Sequence, residues 1–592
     1  MEIIMKKYNE ILSFWSKGDL YSEFQKNIRS IIENIFSNIP DDAKIIIRGA
    51  GEHTRQLLLE FDLGRKNILA IADRSINTSE KYGYKLISPD DISKYDPDYV
   101  IISSFLFRKE MASELSDISI KTVDPYDVLE KNNIFLDSPL FMYCDGWFHI
   151  SHLTVNYFFL RYLKNKDPNI SLSLLKEAIN VAFGAKDLVM YKKLCDIGEE
   201  KFSGVDGEVF YQGNKLLEEF KSLLKDRIAA RKQNDIILFW TDAVKFSDLS
   251  HLKKTYELSK KGVFFENPYS CAPFTHSTLD YIFLDRMPID DFEKELHIAD
   301  SSSSNLIRVL HSNGYDFQYF GSSAKNVSPE YVCLSSRFES ANIVFWNAVM
   351  RLINCSEPVF YMLHFLAETH EMISPVCENI NTDIYDTDIR SQQFIAHQYM
   401  DDCLELYREL LGDNTYIYMS DHGDAVDNYD HFWDDIRIKP YCFFIQKGVN
   451  PNKVKRFFPY KNIYLLADHL IHHNNNLEDM LQDHMVYQDI DVYNPDLINR
   501  FIKERFSMIF SYRAARDLYY KYAINSVGEE FFCRYDENGR EHPVDSIPND
   551  ELSVLRELAG TKFIDVYQFP KFEYTRKAYD IYQKKRSLED IV

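Results

Sequence analysis

Carboxylate and imidazole side chains follow apolar, strand-like segments in the second half of this chain. Asp242 comes just after Ile236–Trp240, and Asp421 and His422 come just after Thr415–Met419. The carboxyl ends of parallel strands meet at one edge of an open α/β sheet, where such sheets bind ligands. Oxygen and nitrogen donors gathered at that edge could hold a divalent metal ion. The full set of candidates is Asp242, Thr275, His364, His370, Asp421, His422 and His431.

Each of these residues also has an ordinary structural explanation. A single histidine after a strand is commonly a hydrogen-bonded structural residue, and a single aspartate commonly caps a helix. The alternative to a shared site is therefore a set of helix caps and core histidines. The order and context of the residues favour the shared site.

The segment Asn414–Asp424, which reads NTYIYMSDHGD, resembles the strand and Ser-Asp-His-Gly motif of the alkaline phosphatase/sulfatase superfamily. The segment after the family's nucleophile is similar to Leu306–Gly321, and the family's C-terminal strand pair is similar to Arg513–Glu530. The family's late histidine resembles His431, which Pro440 follows. The resemblance spans roughly residues 233–540. It implies an enzyme in which Asp421 and His422 bind metal and Asp242 contributes a further ligand.

The family's nucleophile can be aligned with the sequence YSCAPFTHST in two different registers. Sulfatases need a Cys or Ser followed by x-Pro-x-Arg, and Cys271 has the proline but meets Thr275 where the arginine belongs. In the other register Thr275 itself is the nucleophile, preceded by matching residues at Asn267 and Tyr269. The longer match favours Thr275, which implies a phosphodiesterase or a phospho-group transferase of the phosphoethanolamine or lipoteichoic-acid type.

The chemistry of a threonine nucleophile requires a metal ion. A free hydroxyl is too weak an acid to ionise near neutral pH, whereas coordination to a divalent ion lowers its pKa. The mixed oxygen and nitrogen ligand set suits Zn²⁺ or Mn²⁺. Attack on phosphorus would give a phospho-threonine intermediate that is released to water or to an acceptor alcohol.

Two further histidines are assigned catalytic roles by the resemblance. His370 and His431 would bind phosphoryl oxygens, protonate the leaving group or hold a second ion. The dinuclear phosphodiesterases carry an aspartate four residues before the histidine that matches His370, and this chain has Leu366 there. The sequence therefore favours the transferase-like members.

A glycine loop lies near the start of the chain. Gly49 and Gly51 follow a short apolar strand, Thr54 opens an apolar helix, and Asp73 ends the next strand. Such a loop lets the backbone approach an anionic ligand at a helix N-terminus, although the third glycine of the dinucleotide fingerprint is missing. The region resembles the small Rossmann-like domain of some sugar O-acyltransferases, which implies a nucleotide or nucleotide-sugar ligand. The alternative is a glycine turn that only lets helix and strand pack closely.

The predicted fold class is α/β, and 592 residues are more than one core normally serves. Alternation of strands and helices indicates an N-terminal Rossmann-like parallel sheet over residues 1–135. Helical spacing without strands indicates a helical connector over 136–232. The remainder, 233–592, is predicted to be an alkaline-phosphatase-like α/β sandwich domain with a C-terminal extension.

The charge and composition of the chain limit the kinds of partner that it is expected to bind. A formal charge of −23 repels nucleic acid and anionic membranes, so no nucleic-acid partner is expected. We expect a cytoplasmic protein without membrane insertion. The nine cysteines are scattered, and the sequence shows neither the apolar segment of a signal peptide nor an apolar stretch long enough to span a membrane. The expected partners are a small-molecule phosphoester donor and an alcohol or glycan acceptor. A sulfatase that uses Cys271 and a non-catalytic nucleotide-sugar-binding scaffold are the alternatives.

Overall fold

The computed structural model describes most of the chain. The described residues are 1–61, 63–74, 79–116, 120–136, 140–142, 146–147, 151–287, 298–321, 327–333, 340–369, 389–423, 435, 438–473, 476–490, 511–525, 528, 530–536 and 539–560. The fold is mixed α/β, and two of its sheets contain parallel strands. The predicted residues His370 and His431 lie outside the described residues.

The described chain divides into two compact units. The first comprises Met1–Leu224 and, from later in the chain, residues 340–346, and the second comprises the other described residues from Lys225 onward. The boundary falls inside a long helix, a few residues before the position 232/233 predicted from the sequence. The three-domain division stays a prediction.

The first unit opens with two amphipathic helices, α1 (Glu2–Trp15) and α2 (Leu20–Ser37). Asp19 caps α2 by accepting a hydrogen bond from the backbone N–H of Ser22. Four further helices occupy the region expected to be helical. They are α6 (Ser151–Lys164), α7 (Pro168–Gly184), α8 (Leu188–Lys201) and α9 (Val205–Ala229).

A six-stranded sheet lies between these two groups of helices in the sequence, and its strand order is β3-β4-β2-β1-β5-β6. All its pairings are parallel except β3 with β4. Its strands are β1 (Ile45–Arg48), β2 (Ile68–Ala72), β3 (Glu80–Lys81), β4 (Tyr84–Ile87), β5 (Tyr99–Ile102) and β6 (Lys121–Val123). Helices α3 (Glu52–Glu60), α4 (Arg108–Glu114) and α5 (Pro125–Lys131) alternate with them, and a two-stranded ribbon of β7 (Phe141–Met142) and β8 (Gly146–Trp147) follows.

The second unit is built on an eight-stranded sheet with the order β12-β11-β13-β9-β14-β15-β10-β16. Its strands are β9 (Ile236–Thr241), β10 (Val263–Tyr269), β11 (Asp316–Phe320), β12 (Val332–Cys333), β13 (Val359–Phe365), β14 (Thr415–Ser420), β15 (Cys442–Ile445) and β16 (Asn452–Pro459). The central strands β13 and β9 are buried along their whole length and β14 all but its first residue, which explains their continuous apolar sequences.

Helices separate these strands in the sequence, and residues of the second, third and sixth of them pack against apolar side chains of the sheet. They are α10 (Lys253–Ser259), α11 (Thr275–Leu284), α12 (Asn305–Ser312), α13 (Ala341–Asn354), α14 (Ile389–Leu411) and α15 (Ile463–His472). Helix α13 begins in the first unit and ends in the second.

The last described part of the chain is a five-stranded antiparallel sheet with α16 (Asn549–Ala559) packed on it. The strands follow one another in sequence order, as a meander. They are β17 (Met485–Ile490), β18 (Ser511–Arg516), β19 (Tyr520–Asn525), β20 (Glu530–Tyr535) and β21 (Glu541–Val544). Strands β20 and β21 pair antiparallel, and the Asn-Gly pair before Arg540 in the sequence is typical of the turn of such a hairpin.

Candidate functional site

Three neighbouring parallel strands bring the predicted site residues together. Strand β9 lies between β13 and β14, and the last residues of the three strands, Phe365, Thr241 and Ser420, are in register. Asp242 and Asp421 are the next residues after two of these ends, and His364 is the penultimate residue of the third. The sheet register alone therefore sets these side chains at one edge.

The turn after β9 is fixed to the end of β14. The backbone N–H of Ala243 donates to Oδ1 of Asp421 at 2.9 Å, and that of Val244 donates to the Ser420 hydroxyl at 2.8 Å. Ala243 has a φ of 58°, in the left-handed region that a residue with a Cβ seldom adopts. This unusual turn directs the Ala243 N–H at the Asp421 carboxylate, so the local strain serves the placement of that side chain.

Asp421 is fully buried, and its two oxygens differ. Oδ1 accepts from the backbone N–H groups of Ala243 and His422, at 2.9 and 2.8 Å. Within the described part of the chain Oδ2 accepts no hydrogen bond. Burial and the neighbouring Asp242 carboxylate raise the pKa of Asp421. A buried carboxylate oxygen next to a second buried carboxylate is the environment in which a cation is favourable.

The tautomer of His422 follows from its partner. Its Nδ1 lies 2.8 Å from the carbonyl oxygen of Gly423, which can only accept, so Nδ1 carries a proton. In a neutral ring Nε2 then presents a lone pair, and it lies 3.4 Å from Oδ2 of Asp421 and 3.8 Å from Oδ1 of Asp242. A lone pair facing two carboxylates is repulsive unless a proton or a metal cation lies between them.

His364 completes the cluster and is buried. Its Nε2 lies 2.8 Å from Oδ2 of Asp242, and its Nδ1 lies 2.6 Å from the hydroxyl of Tyr319. Burial, with Asp242 and Asp421 nearby, raises the pKa of Tyr319 well above its usual value, so the phenol is neutral and fixes the orientation of the ring. Ligand atoms of Asp242, His364 and Asp421 all lie within 4.8 Å of one another, close enough to share one ion.

Thr275 is the first residue of α11, and its side chain is half-buried. The hydroxyl donates to Oδ2 of Asp242 at 3.0 Å and lies 3.4 Å from Nε2 of His422. The N-terminus of a helix carries partial positive charge and free N–H groups, which favour a negatively charged oxygen or a phosphate. The predicted nucleophile thus lies at the carboxylate cluster, at a helix end that suits an anion.

Cys271 occupies a different environment from Thr275. It is fully buried, and its Sγ donates toward the carbonyl oxygens of Ser277 and Arg286 at 3.5 and 3.8 Å. The thiol is therefore held in the core. In the described structure it is Thr275, rather than Cys271, that contacts Asp242 and His422.

The residues of the N-terminal glycine loop are engaged with one another. Oδ2 of Asp73 accepts from the backbone N–H of Ala50 at 2.7 Å, and the buried Thr54 hydroxyl donates to the Gly49 carbonyl at 2.6 Å. Gly49 has a φ of 111°, and a Cβ there would lie 2.7 Å from the Ser103 carbonyl oxygen. A Cβ on Gly51 would meet no atom within 4 Å. Gly49 is thus required by packing, and Gly51 leaves open space at the start of α3.

His364 is a candidate ligand to which the resemblance assigns no specific role. It lies within a strand, whereas His422 follows one, and a histidine inside a continuous apolar run is also what a core histidine looks like. Its neighbour Tyr319 on β11 carries no sequence motif at all. The pairing of β11 with β13, in which Phe320 lies opposite Leu363, is what brings the two together.

Comparisons with known proteins bear on both ends of the chain. A family model described as C2185-like, N-terminal, matches residues 41–124, which contain β1 to β6. Among curated proteins no relative matches the sequence. The family model covers less than half of the chain and names no ligand.

The similar solved structures include members of the alkaline phosphatase superfamily. One such protein from Vibrio parahaemolyticus is 13% identical over 62% of this chain and 96% of its own, with a TM-score of 0.40. A phosphonate monoester hydrolase from Agrobacterium radiobacter is 13% identical over 60% and 96%, with a TM-score of 0.38. The lipoteichoic acid synthase LtaP from Listeria monocytogenes is 13% identical over 62% and 98%, with a TM-score of 0.37. Similarity at this level assigns neither activity nor substrate, so the function is argued from the site.

No helix among the described residues is both long enough and apolar enough to span a membrane.

Proposed function

We propose that the second unit is a metal-dependent enzyme that cleaves or transfers phosphoesters with Thr275 as its nucleophile. The observation that carries the proposal is the position of the Thr275 hydroxyl, 3.0 Å from Asp242 and 3.4 Å from His422, at the N-terminus of α11. A hydroxyl, two carboxylates and imidazole nitrogens at one sheet edge suit attack on an electrophilic phosphorus atom better than they suit a purely structural role.

The residues of the cluster fit a divalent cation. Asp242 and Asp421 are both fully buried, and the imidazoles of His364 and His422 lie 2.8 to 3.8 Å from their carboxylate oxygens. The lone pair of a neutral His422 faces both carboxylates, and Oδ2 of Asp421 accepts no hydrogen bond within the described chain. Carboxylate oxygens with imidazole nitrogens favour Zn²⁺ or Mn²⁺. Asp242, Asp421 and His422 would hold the ion, and His364 is placed to join or orient them.

The cation would lower the pKa of a nearby hydroxyl and neutralise charge on the phosphoryl oxygens. The hydroxyl proton of Thr275 has an acceptor in place, the Asp242 carboxylate. A bond then forms between Oγ1 of Thr275 and phosphorus while the ester bond to the leaving alcohol breaks, and that alcohol takes up a proton. The family resemblance implies His370 or His431 as the donor of this second proton.

The phospho-threonine formed in this step must be resolved. Water or an acceptor alcohol attacks phosphorus, gives up its proton, and the bond to Oγ1 breaks so that the threonine hydroxyl is regenerated. The N–H groups at the start of α11 are suited to stabilise the negative charge that develops on the phosphoryl oxygens. Leu366 stands where a second metal ligand would be expected, which favours an alcohol acceptor over water. A phosphodiester donor and a glycan or small alcohol acceptor are the substrate classes that we infer.

A sulfatase is the second candidate, since Cys271 is followed by the proline of that motif. Its thiol is fully buried and directed at two main-chain carbonyls, so this candidate needs a rearranged segment. Two substrates and two variants separate the candidates. We expect Thr275→Ala to lose hydrolysis of bis-p-nitrophenyl phosphate by on the order of 10³-fold or more, and Cys271→Ala to keep it within a few-fold.

Intact-mass analysis after incubation with candidate donors supplies the direct test. A covalent phosphoryl adduct that maps to Thr275, and that is lost in Thr275→Ala, is expected. Full phosphodiesterase activity in Thr275→Ala would overturn the proposal. A formylglycine at Cys271, or turnover of p-nitrophenyl sulfate that depends on Cys271, would establish the sulfatase instead.

A further inference from the structure

We propose that Asp248, His251 and His397 form a second divalent metal site in the second unit, made of residues that the site around Thr275 does not use. Each residue offers one ligand atom, and these atoms all lie within 4.8 Å of one another. This separation allows one ion to contact all three. Two imidazoles and one carboxylate are the donor set that Zn²⁺ takes in sites with one open position.

Local geometry explains why the three side chains converge. Asp248 and His251 belong to a short 3-10 helix, Phe246–His251, in which side chains three residues apart eclipse one another. His397 lies on α14 and is brought against this helix, so the rings of His251 and His397 have centroids 5.7 Å apart. Two ligands from one turn and one from a facing helix is an arrangement that a metal ion can bridge.

The environment of the His397 side chain points to a bound ligand. Its side chain is fully buried, and neither ring nitrogen makes a hydrogen bond within the described part of the chain. Nδ1 of His251 is likewise buried without a hydrogen bond there. A buried polar group without a partner is destabilising, because it has given up its hydrogen bonds to water. An ion that accepts the imidazole lone pairs removes part of that cost, and a core histidine packed among apolar groups would not.

The protonation state of His397 is compatible with this role. Burial, with His251 and Lys245 nearby, lowers the pKa of His397 to about 3. The imidazole is therefore neutral near pH 7, and only the neutral ring has a lone pair to give to a metal.

Lys245 is the group that competes with a cation. Its buried ammonium lies 3.4 Å from Oδ2 of Asp248. The other carboxylate oxygen, Oδ1, accepts from the Ser247 hydroxyl at 3.2 Å, and a carboxylate oxygen can take more than one partner. One oxygen can therefore face the lysine while the other faces the ion.

A cavity of about 510 Å³ borders the cluster and gives it access. Asp248 and His251 line it together with Lys245, Arg390 and Ser391. Three protein ligands leave one position of a tetrahedral zinc ion vacant, and that position would face the cavity. Water or an anionic oxygen beside Arg390 could occupy it.

The test uses the full chain, stripped with a chelator and titrated with Zn²⁺ under equilibrium dialysis, with metal content measured per chain. The variant is His251→Ala, because this half-buried ring can be removed with less effect on folding than His397. The matched control is His472→Ala, which removes an exposed histidine 3.2 Å from Asp468 on α15. Unfolding temperature without metal verifies that all three proteins are folded.

We expect His251→Ala to bind about one zinc ion less than the wild type and to lose part of the Zn²⁺-induced rise in unfolding temperature. His472→Ala should behave as the wild type. Asp421→Asn should remove the other ion and keep this one, and Co²⁺ bound to Asp421→Asn should give visible bands that disappear when His251→Ala is added. Equal zinc content in His251→Ala and the wild type, or complete loss of zinc in Asp421→Asn, would overturn the second site and leave the proposal for Thr275 untouched.

Discussion

The hydroxyl of Thr275 lies 3.0 Å from a carboxylate oxygen of Asp242, although 33 residues separate the two in the sequence. Asp242 comes from the end of a central strand, and Thr275 comes from the start of a helix that follows strand β10, which is three strands away in the sheet. The contact between them places the proposed nucleophile beside the buried carboxylates. This contact can be tested by changing each partner.

Replacing Thr275 by serine should keep the chemistry, because serine retains the hydroxyl at the same backbone position. We expect Thr275→Ser to retain phosphodiesterase activity within about tenfold and to carry the phosphoryl adduct. Thr275→Val keeps the shape of threonine but lacks the hydroxyl, and should lose on the order of 10³-fold or more. Rates with bis-p-nitrophenyl phosphate and intact mass measure both. Comparable rates in the valine and serine variants would contradict the assignment.

Asp421→Asn should have opposite effects on metal binding and on the stability of the metal-free protein. The amide oxygen can still accept from Ala243 and His422, but the repulsion between two buried carboxylates disappears. We expect the metal-free variant to gain on the order of 1–3 kcal/mol in the free energy of unfolding, and to bind zinc at this site far more weakly.

Chemical denaturation in the presence of a chelator measures the stability change of Asp421→Asn. Asp413→Asn is the control, since that aspartate is exposed and lies before the same strand β14. It should change stability by no more than about 0.5 kcal/mol. A metal-free Asp421→Asn protein that is less stable than the wild type would show that the two carboxylates do not repel each other in the apo protein.

How far the sequence predicts this site depends on the kind of signal each residue carries. Asp242, Asp421 and His422 follow apolar strands, and the rule that parallel strand ends converge is sufficient to bring them together. The role of Thr275 depends on the choice between two registers of one segment. Tyr319 has no local signal, and the signal of His364 is its place near the end of an apolar strand. Their contact depends on which strand pairs with β13. The order of the strands in the sheet is a long-range property that periodicity does not encode.

A second limit of sequence reasoning concerns polar groups whose binding partners are other residues of the same fold. Asp73 is placed correctly at the end of β2, where a ribose-binding acid would lie, yet in the structure its carboxylate accepts from the Ala50 N–H. Asp248, His251 and His397 form no recognisable motif, because two of them lie in a 3-10 helix and the third lies on a helix far along the chain. Such partners become visible only with coordinates.

Asp435 should make the protein sensitive to acid. Its buried carboxylate accepts from Tyr487 and Tyr535 and pairs with Arg516 and, at 3.2 Å, with Lys521. Although burial acts to raise it, the charges of Lys521 and Arg516 hold the pKa of Asp435 well below its usual value. The stability that the ionised carboxylate provides is fully present above its unfolded pKa of about 4, and is lost as the pH falls below that value.

Arg516→Met tests this network by leaving the carboxylate with one cation fewer. We expect a loss of about 3–5 kcal/mol in the free energy of unfolding at pH 7 and a weaker dependence of stability on pH between about 2 and 5. Arg456→Met is the matched control, because that arginine forms only exposed ion pairs with Glu478 and Asp483. It should cost no more than about 1 kcal/mol. Equal costs in the two variants would show that the buried network contributes little.

The two loop glycines should respond differently to alanine. Gly49→Ala places a Cβ 2.7 Å from the Ser103 carbonyl oxygen in a left-handed backbone, so we expect a loss of about 2 kcal/mol or more in stability. Gly51→Ala meets open space and should change stability by less than about 1 kcal/mol. If the loop binds a nucleotide or nucleotide-sugar, Gly51→Ala should weaken that binding while the protein stays folded. Thermal denaturation and equilibrium dialysis with UDP-glucose measure the two effects, and unchanged binding would count against the ligand.

Tyr319 should act on the metal through His364, without contacting substrate. Its neutral phenol lies 2.6 Å from Nδ1 of His364, whose Nε2 lies 2.8 Å from Asp242. Tyr319→Phe removes this hydrogen bond and keeps the ring in the core. Loss of a partner that orients a metal-site histidine typically costs 10–100-fold in metal affinity, and we expect a loss of about that size.

The distinguishing property of Tyr319→Phe is that excess metal should restore its activity. A loss of catalytic power at saturating Zn²⁺ or Mn²⁺ would mean instead that the phenol takes part in the reaction. Tyr361→Phe provides the control, because Tyr361 lies on the same strand as His364, is equally buried, and donates to Asp316 at 3.1 Å, away from the cluster. Titration of activity with metal should therefore shift for Tyr319→Phe and coincide with the wild type for Tyr361→Phe. Coincident titrations for all three proteins would show that His364 is a core histidine with no influence on the metal.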